Sequence, residues 1–265
     1  MGPRSDDDRE VYERNLYDEV AEHKSKRAIE TSTRIARRAI VIRALTSLRP
    51  FRSSLGTLVD LGCGNAPTAV YAADLYERYI GIDFSREMIE IGKELTSHLP
   101  NIELQIGNIR NSAELPQCVA DTILIYGALH HMSDLKGIME SIAQIAKPGA
   151  HFIAIEPHCG NPAINFARYC RKHIDKTYSS EQVFFTEKEL YQILSFGKLE
   201  QPKVGYISYF SQPFAQIPFK PQWLAKRLSA GAIFLDRFVE PLMVGPLSRL
   251  SWLAVATGIF PEQSD

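Results

Sequence analysis

A parallel α/β sheet with helices on both faces is the fold class this sequence predicts. Three observations predict it. Five short apolar runs recur along the middle of the chain: "TLVDL" (57–61), "YIGID" (79–83), "IELQI" (102–106), "DTILIY" (121–126) and "HFIAIE" (151–156). Helical stretches of ten or more residues separate most of them, the spacing that parallel crossovers require. The first run enters a glycine turn, "LGCGNAP", which opens onto a helix.

Taken in order, residues 10 to 50 are charged and helical in pattern, with Ile35, Ala39, Ile42, Leu45 and Leu48 three or four apart, and Pro50 stops the helix. After the first strand and its turn, Pro67 suits a first helical position, where its missing N–H costs nothing. A helix is expected over "TAVYAADLYERY". Ser85 caps the helix "REMIEIGKELTSHL" that follows the second strand. The fourth strand leads to a helix over "LKGIMESIAQIA", and "KPGA" reads as a turn before the fifth. Past Glu156 the rhythm breaks. "NPAINFARYCRKHI" reads as an extra helix. "TEKELYQILSF" opens on the capping box Thr186-x-x-Glu189 and stops at Gly197. "KVGYISYF" and "SWLAVAT" read as two further strands. Between them, residues 211–249 form an apolar insertion, with Leu224, Leu228, Leu235, Phe238 and Leu242 on a helical stripe.

The bulk numbers exclude several classes. In 265 residues, 45% hydrophobic and 23% charged content is ordinary for a globular protein, and a net charge of −1 gives no electrostatic case for nucleic acid. Cys63, Cys118, Cys159 and Cys170 are scattered without zinc spacing, which points to a reduced, cytoplasmic setting. The stretch "HCGNPAINFARYCRKH" carries two histidines and two cysteines, but their spacing matches no common metal site, and no metal is expected. The start, "MGPRSDDDRE", lacks the apolar core of a secretory signal.

The glycine turn identifies a ligand class. A dinucleotide fingerprint wants a third glycine and a pyrophosphate on the helix N-terminus. Here Pro67 stands in the third position, and Asp60 would repel a pyrophosphate. The same carboxylate suits an ammonium group. Asp83 ends the second strand, where an acid accepts hydrogen bonds from both ribose hydroxyls. A nucleoside with a cationic amino-acid tail and no phosphate meets both demands. S-adenosylmethionine is such a molecule.

Five segments in order, "VDLGCG", "GIDFSREMIE", "GNIRN", "DTILIYGALHHMSD" and "KPGAHFIAIEP", resemble the class I S-adenosylmethionine-dependent methyltransferases, over about Gly56 to Pro157. The likeness is to the subgroup acting on quinones, sugars and other small natural products. It implies a seven-stranded sheet in the order 3-2-1-4-5-7-6 with the last strand antiparallel. The N-terminal helical extension then spans 1–50. The methyltransferase domain spans 51–265, with acceptor-side insertions at about 158–182 and 211–249. The resemblance assigns Asp60, Gly62, Cys63 and Gly64 to the methionine end of the cofactor and Asp83 to its ribose. Phe84, Met88, Asn108 and Ile109 fall at the adenine, and Tyr126 and Gly127 on the path to the methyl group. Asn108 stands where the family has an acid, and Ala66 where it usually has glycine. Tyr17 matches a tyrosine that covers the cofactor in this subgroup.

Methyl transfer is an in-line displacement for which the protein chiefly supplies position. A hydroxyl acceptor also needs a base. His130 and His131 follow the fourth strand at the carboxyl edge of the sheet, where open α/β folds bind ligands. "LHHM" resembles the segment in which such a histidine serves O-methyltransferases. Glu156, ending the neighbouring strand, is a candidate to orient that imidazole or bind the acceptor. The expected activity is methylation of a hydroxyl on an apolar small molecule. Nitrogen or carbon methylation, or a non-catalytic cofactor-binding module, are the alternatives. The 211–249 insertion reads as a lid over a lipophilic acceptor. Packing on the sheet, or resting on a membrane surface, would use the same residues.

Overall fold

The computed structural model describes residues 6–47, 54–174 and 182–262. Its seven strands are β1 (Thr57–Leu61), β2 (Arg78–Asp83), β3 (Ile102–Ile106), β4 (Ala120–Tyr126), β5 (Ala146–Pro157), β6 (Glu200–Ile207) and β7 (Leu253–Ile259). They form one sheet in the order β3-β2-β1-β4-β5-β7-β6. β7 runs antiparallel to both its neighbours, so β6 runs with the rest. Strands β1, β2, β4 and β5 are nearly continuous apolar runs because both faces are covered.

One face buries Val59, Ile80, Ile123 and Phe152 under α5 (Leu135–Ile145) and α7 (Glu187–Phe196). The other buries Leu58, Tyr79, Leu124 and Ile153 under α2 (Thr31–Ser47), α3 (Pro67–Tyr71) and α4 (Arg86–Thr96). The caps form as the residue types dictate. The Ser85 side chain accepts from Met88 N at the start of α4. At α7, Thr186 and Glu189 complete a reciprocal capping box.

Four local expectations are corrected. The N-terminal segment is two helices, α1 (Asp6–Ile29) and α2, and Pro50 lies outside the described residues. The buried face of α2 is Ala36, Ile40, Val41, Ala44 and Leu45, so of the expected stripe only Leu45 is fully in the core and Leu48 is outside the described residues. Helix α3 ends at Tyr71 instead of running to Tyr79, and the backbone N–H of Ala72 turns back to Thr68 O. "KPGA" belongs to β5, which takes up Gly149 at φ 71° through a register shift against β4.

The remaining helices are α6 (Pro162–Ile174), α8 (Gln212–Gln216) and α9 (Gln222–Val239). β6 ends and β7 begins on one edge of the sheet, since Leu253 pairs with both Ile207 and Pro157. That is the edge at which β1, β4 and β5 also end. The insertion carrying α8 and α9 therefore rises from the edge that holds the glycine turn and the two histidines.

Candidate active site

The turn after β1 is built from left-handed residues. Gly62, Gly64 and Ala66 have φ of 71°, 54° and 52°. Gly62 is required twice, since a side-chain carbon there would also stand 2.6 Å from the Ala128 Cβ of the loop after β4. Ala66 holds a conformation that costs a residue with a Cβ about 1–2 kcal/mol. The turn closes in spite of the alanine. The N–H groups of Gly62 and Cys63 donate to Ile82 O. The Cys63 thiol turns inward over Gly81, and burial raises its pKa well above the usual thiol range.

Asp60 and Asp83 stand at adjacent strand ends. Asp60 is buried and accepts from the Tyr79 hydroxyl at 2.7 Å. Burial lifts its carboxyl from 3.8 to about 6, against the hydrogen bonds from Tyr79 and Thr68 and with help from the charge of Asp83. Among the described residues no lysine or arginine is ion-paired with Asp60. Asp83 ties the two turns together, accepting from Gly64 N at 2.7 Å and Ser85 N at 2.9 Å. Two close buried acids make a place for a cation. This is the observation by which the site fits the ammonium-bearing tail of S-adenosylmethionine.

The two histidines sit in a 3-10 turn, Leu129–His131, after β4. Gly127, at φ 64°, lets the chain leave the strand beside Tyr126, whose phenol burial pushes up. Glu156 is fully buried, and both its oxygens are engaged. Its Oε1 accepts from Ala128 N and Leu129 N at 3.0 and 2.8 Å, while Oε2 lies 2.6 Å from His130 Nδ1. It orients the imidazole and its loop and presents no surface to an acceptor. His131 is held differently: Nε2 lies 2.8 Å from the Tyr17 hydroxyl and Nδ1 3.0 Å from Glu13 Oε2. His158, two residues past Glu156, is buried and fastens the insertion. Its Nε2 donates to Ser251, its Nδ1 accepts from Gly160 N, and burial lowers its pKa.

Helix α1 lies across these elements. The Tyr17 ring stands 6.1 Å from Phe84 and edge-on to His131 at 5.2 Å, and burial raises its phenol pKa well above the ordinary value. Ser85 donates to Asp18 at 2.5 Å, and Ser25 reaches the buried Met88 sulfur at 3.9 Å. Asn108 donates to Glu10 at 2.8 Å and accepts from Arg110 N, so its amide faces α1 and its own loop, while Ile109 packs into the core. Of the expected site residues, Phe84, Met88, Asn108, His130 and His131 thus meet α1, which also carries Tyr17, while the side chains of Cys63, Ile109 and Tyr126 pack against the core. Glu10, Glu13 and Asp18 were not anticipated. The signal for the first two is present in the sequence: Glu10, Glu13 and Tyr17 recur at three and four residues and share a helix face.

Comparison with known proteins agrees with this geometry. Residues 59–154 match a family described as "Methyltransferase domain". The chain is a class I S-adenosylmethionine-dependent methyltransferase. S-adenosylmethionine is its methyl donor, and a small molecule is its acceptor. The methyltransferase is 25% identical over 253 residues to a demethylmenaquinone methyltransferase of Symbiobacterium thermophilum, covering 93% of this chain and 94% of that one. Its fold is shared with a putative methyltransferase solved in complex with the Haloferax volcanii Trm112 activator, at TM-score 0.62 and 18% identity, covering 93% and 98% of the two chains. It is also shared with the geranyl diphosphate C-methyltransferase of Streptomyces coelicolor A3(2), at TM-score 0.53 and 13% identity, covering 84% and 78%.

Proposed function

We propose that this methyltransferase methylates a hydroxyl on an apolar small molecule, with His130 as general base. The observation that supports this most is the buried pair of His130 Nδ1 and Glu156 Oε2 at 2.6 Å. A carboxylate on Nδ1 selects the tautomer with its proton there and leaves a lone pair on Nε2. His131 has both ring nitrogens engaged by α1, which favours His130 of the two.

When bound, S-adenosylmethionine supplies an electrophilic methyl carbon on a sulfonium that leaves as a neutral thioether, taking the electron pair of the broken C–S bond. Asp60 and the backbone of Gly62, Cys63 and Gly64 bind its methionine end, and Asp83 its ribose. Phe84, Met88 and Asn108 frame the adenine end, and Ile109 backs the Asn108 loop from the core. Tyr17 covers the cofactor from α1, and Tyr126 and Gly127 line the approach to the methyl group. His130 Nε2 takes the acceptor's proton as the oxygen forms its bond to carbon. A carbon or nitrogen acceptor is the second reading, and the C-methyltransferase named among the structures of the same fold favours it. The acceptor named for the Symbiobacterium relative, demethylmenaquinone, is a candidate under that reading. A lipophilic acceptor would arrive over the apolar surface of 211–249, from a cytoplasmic setting.

The test is transfer of labelled methyl from S-adenosylmethionine to a panel of phenols, quinones and amines by the wild-type protein and by His130→Gln and His131→Gln. General-base help is worth about 10²–10⁴-fold, so His130→Gln should lose that much kcat on a hydroxyl acceptor while cofactor affinity holds. His131→Gln should lose less. Full activity of both variants on the acceptor that is turned over would move the assignment to nitrogen or carbon.

A further inference from the structure

Helix α9 is apolar on two opposite faces. The inner face is made of small residues, Ala225, Ser229 and Ala232 with Ile233, and packs against α2. At about 100° per residue, Trp223, Leu224, Leu228, Phe234, Leu235 and Phe238 share an arc roughly 140° wide on the opposite side. All six are exposed, from 39% at Leu224 to 60% at Phe238. The apolar surface continues past the helix through Leu242 and Val244, at 72% and 68%. A helix packed on a water-soluble domain turns its large apolar side chains inward. Here the small ones are inside and the large ones outside, so the expected stripe is neither core nor a lining packed on the sheet.

The charges of this segment are sorted in the same way. Residues 212–250 contain five basic side chains, Lys220, Lys226, Arg227, Arg237 and Arg249, and two acidic ones, Asp236 and Glu240. Both acids are turned inward. Asp236 is fully buried and accepts from the N–H groups of Tyr209, Phe210 and Ser211 at 3.0, 2.8 and 3.1 Å. Glu240 accepts from Ser208 N and pairs with Arg43. All five basic side chains are exposed. Lys226 and Arg237 border the apolar arc, and the Arg227 guanidinium lies 5.6 Å from the Trp223 ring centre. In a chain of net charge −1, the exposed charge that this segment itself sets beside its apolar face is therefore all positive.

We propose that this face docks the methyltransferase on an anionic phospholipid surface, with Trp223, Phe234 and Phe238 at the acyl boundary and Lys226, Arg227 and Arg237 among the headgroup phosphates. Aromatic and aliphatic side chains ringed by cations are what such an interface selects. No helix among the described residues is long and apolar enough to cross a membrane, so α9 lies on the surface. A second copy is the poorer occupant, because two-fold pairing would set one basic rim against another. The face rises from the sheet edge that carries His130 and Glu156, which places the lipid beside the site.

The test is co-sedimentation with vesicles of phosphatidylglycerol and phosphatidylcholine in equal parts, and of phosphatidylcholine alone. Neither acceptor nor cofactor is added, so the result is independent of the methyl-transfer reading. The wild-type protein should bind the anionic vesicles, and about 1 M salt, where charges are screened within about 3 Å, should release much of it. Lys226→Glu with Arg227→Glu should weaken binding at least about 25-fold, at about fivefold for each charge removed. Phe234→Glu with Phe238→Glu should weaken it about tenfold or more at either salt. All these positions are exposed, and unchanged circular dichroism confirms that the variants fold. No binding to anionic vesicles, or binding that both variants keep, overturns the proposal. So does a solution dimer that Phe234→Glu breaks in a protein that ignores vesicles, which would assign the face to a second copy.

Discussion

Replacing Asp60 by asparagine should make the ligand-free enzyme more stable and its cofactor binding weaker. The carboxyl is buried, receives the hydroxyls of Tyr79 and Thr68, has the charge of Asp83 nearby, and titrates at about 6 instead of 3.8. At about 1.4 kcal/mol per pH unit, ionising it in the folded protein costs on the order of 3 kcal/mol more than in the unfolded chain. The folded state binds this proton more tightly than the unfolded state does. Its contribution to stability is therefore complete below pH 4, falls between about pH 4 and 6, and stays lost above. Asparagine keeps an oxygen for Tyr79 and carries no charge at any of these values. At pH 7.5 the Asp60→Asn protein should melt higher by up to about 5–6 °C, at about 2 °C per kcal/mol for a domain of this size. The advantage should shrink as the pH is lowered toward 5. An ammonium group delivered beside the carboxylate reverses the balance, so wild-type affinity for S-adenosylmethionine should decline below pH 6 and that of Asp60→Asn should be lower and flatter. Scanning calorimetry across pH 5 to 7.5 and titration calorimetry with S-adenosylmethionine measure both quantities. A variant that melts lower than wild type at pH 7.5 and binds the cofactor equally well would refute the reasoning.

Two further outcomes follow from the turn. Asp83→Ala removes the acceptor shared by Gly64 N and Ser85 N, at about 1–3 kcal/mol for each donor left unpaired, and should weaken S-adenosylmethionine binding strongly; an unchanged Kd would remove Asp83 from the site. Ala66→Gly relieves a left-handed alanine at φ 52° and should raise the urea midpoint by the equivalent of about 1 kcal/mol at unchanged slope, whereas a lower midpoint would mean that the buried Ala66 methyl packs better than its backbone is strained.

What the sequence determined by itself is the part written in short-range chemistry. Strands of five or six apolar residues, a proline at the first position of α3, the serine cap of α4 and the capping box of α7 each depend on residues within one turn of one another. The ligand class was legible for the same reason, since Asp60, Gly62 and Gly64 lie within five residues and Asp83 falls at the end of the next strand. Sequence pattern misled where a local preference was overridden by packing. The apolar residues after Tyr71 continue a helical pattern, but the chain breaks there to bring β2 alongside β1. Ala66 takes a glycine's conformation because the turn around it is held by Gly62, Gly64 and Asp83. Only the tertiary structure decided which imidazole meets which carboxylate. His130 pairs with Glu156 across 26 residues, and His131 with Tyr17 across 114. It also decided which side of α9 meets water. A stripe of leucines and phenylalanines specifies an apolar face but not what covers it, and the opposite face of small residues fits closely enough against α2 to be the one that is buried.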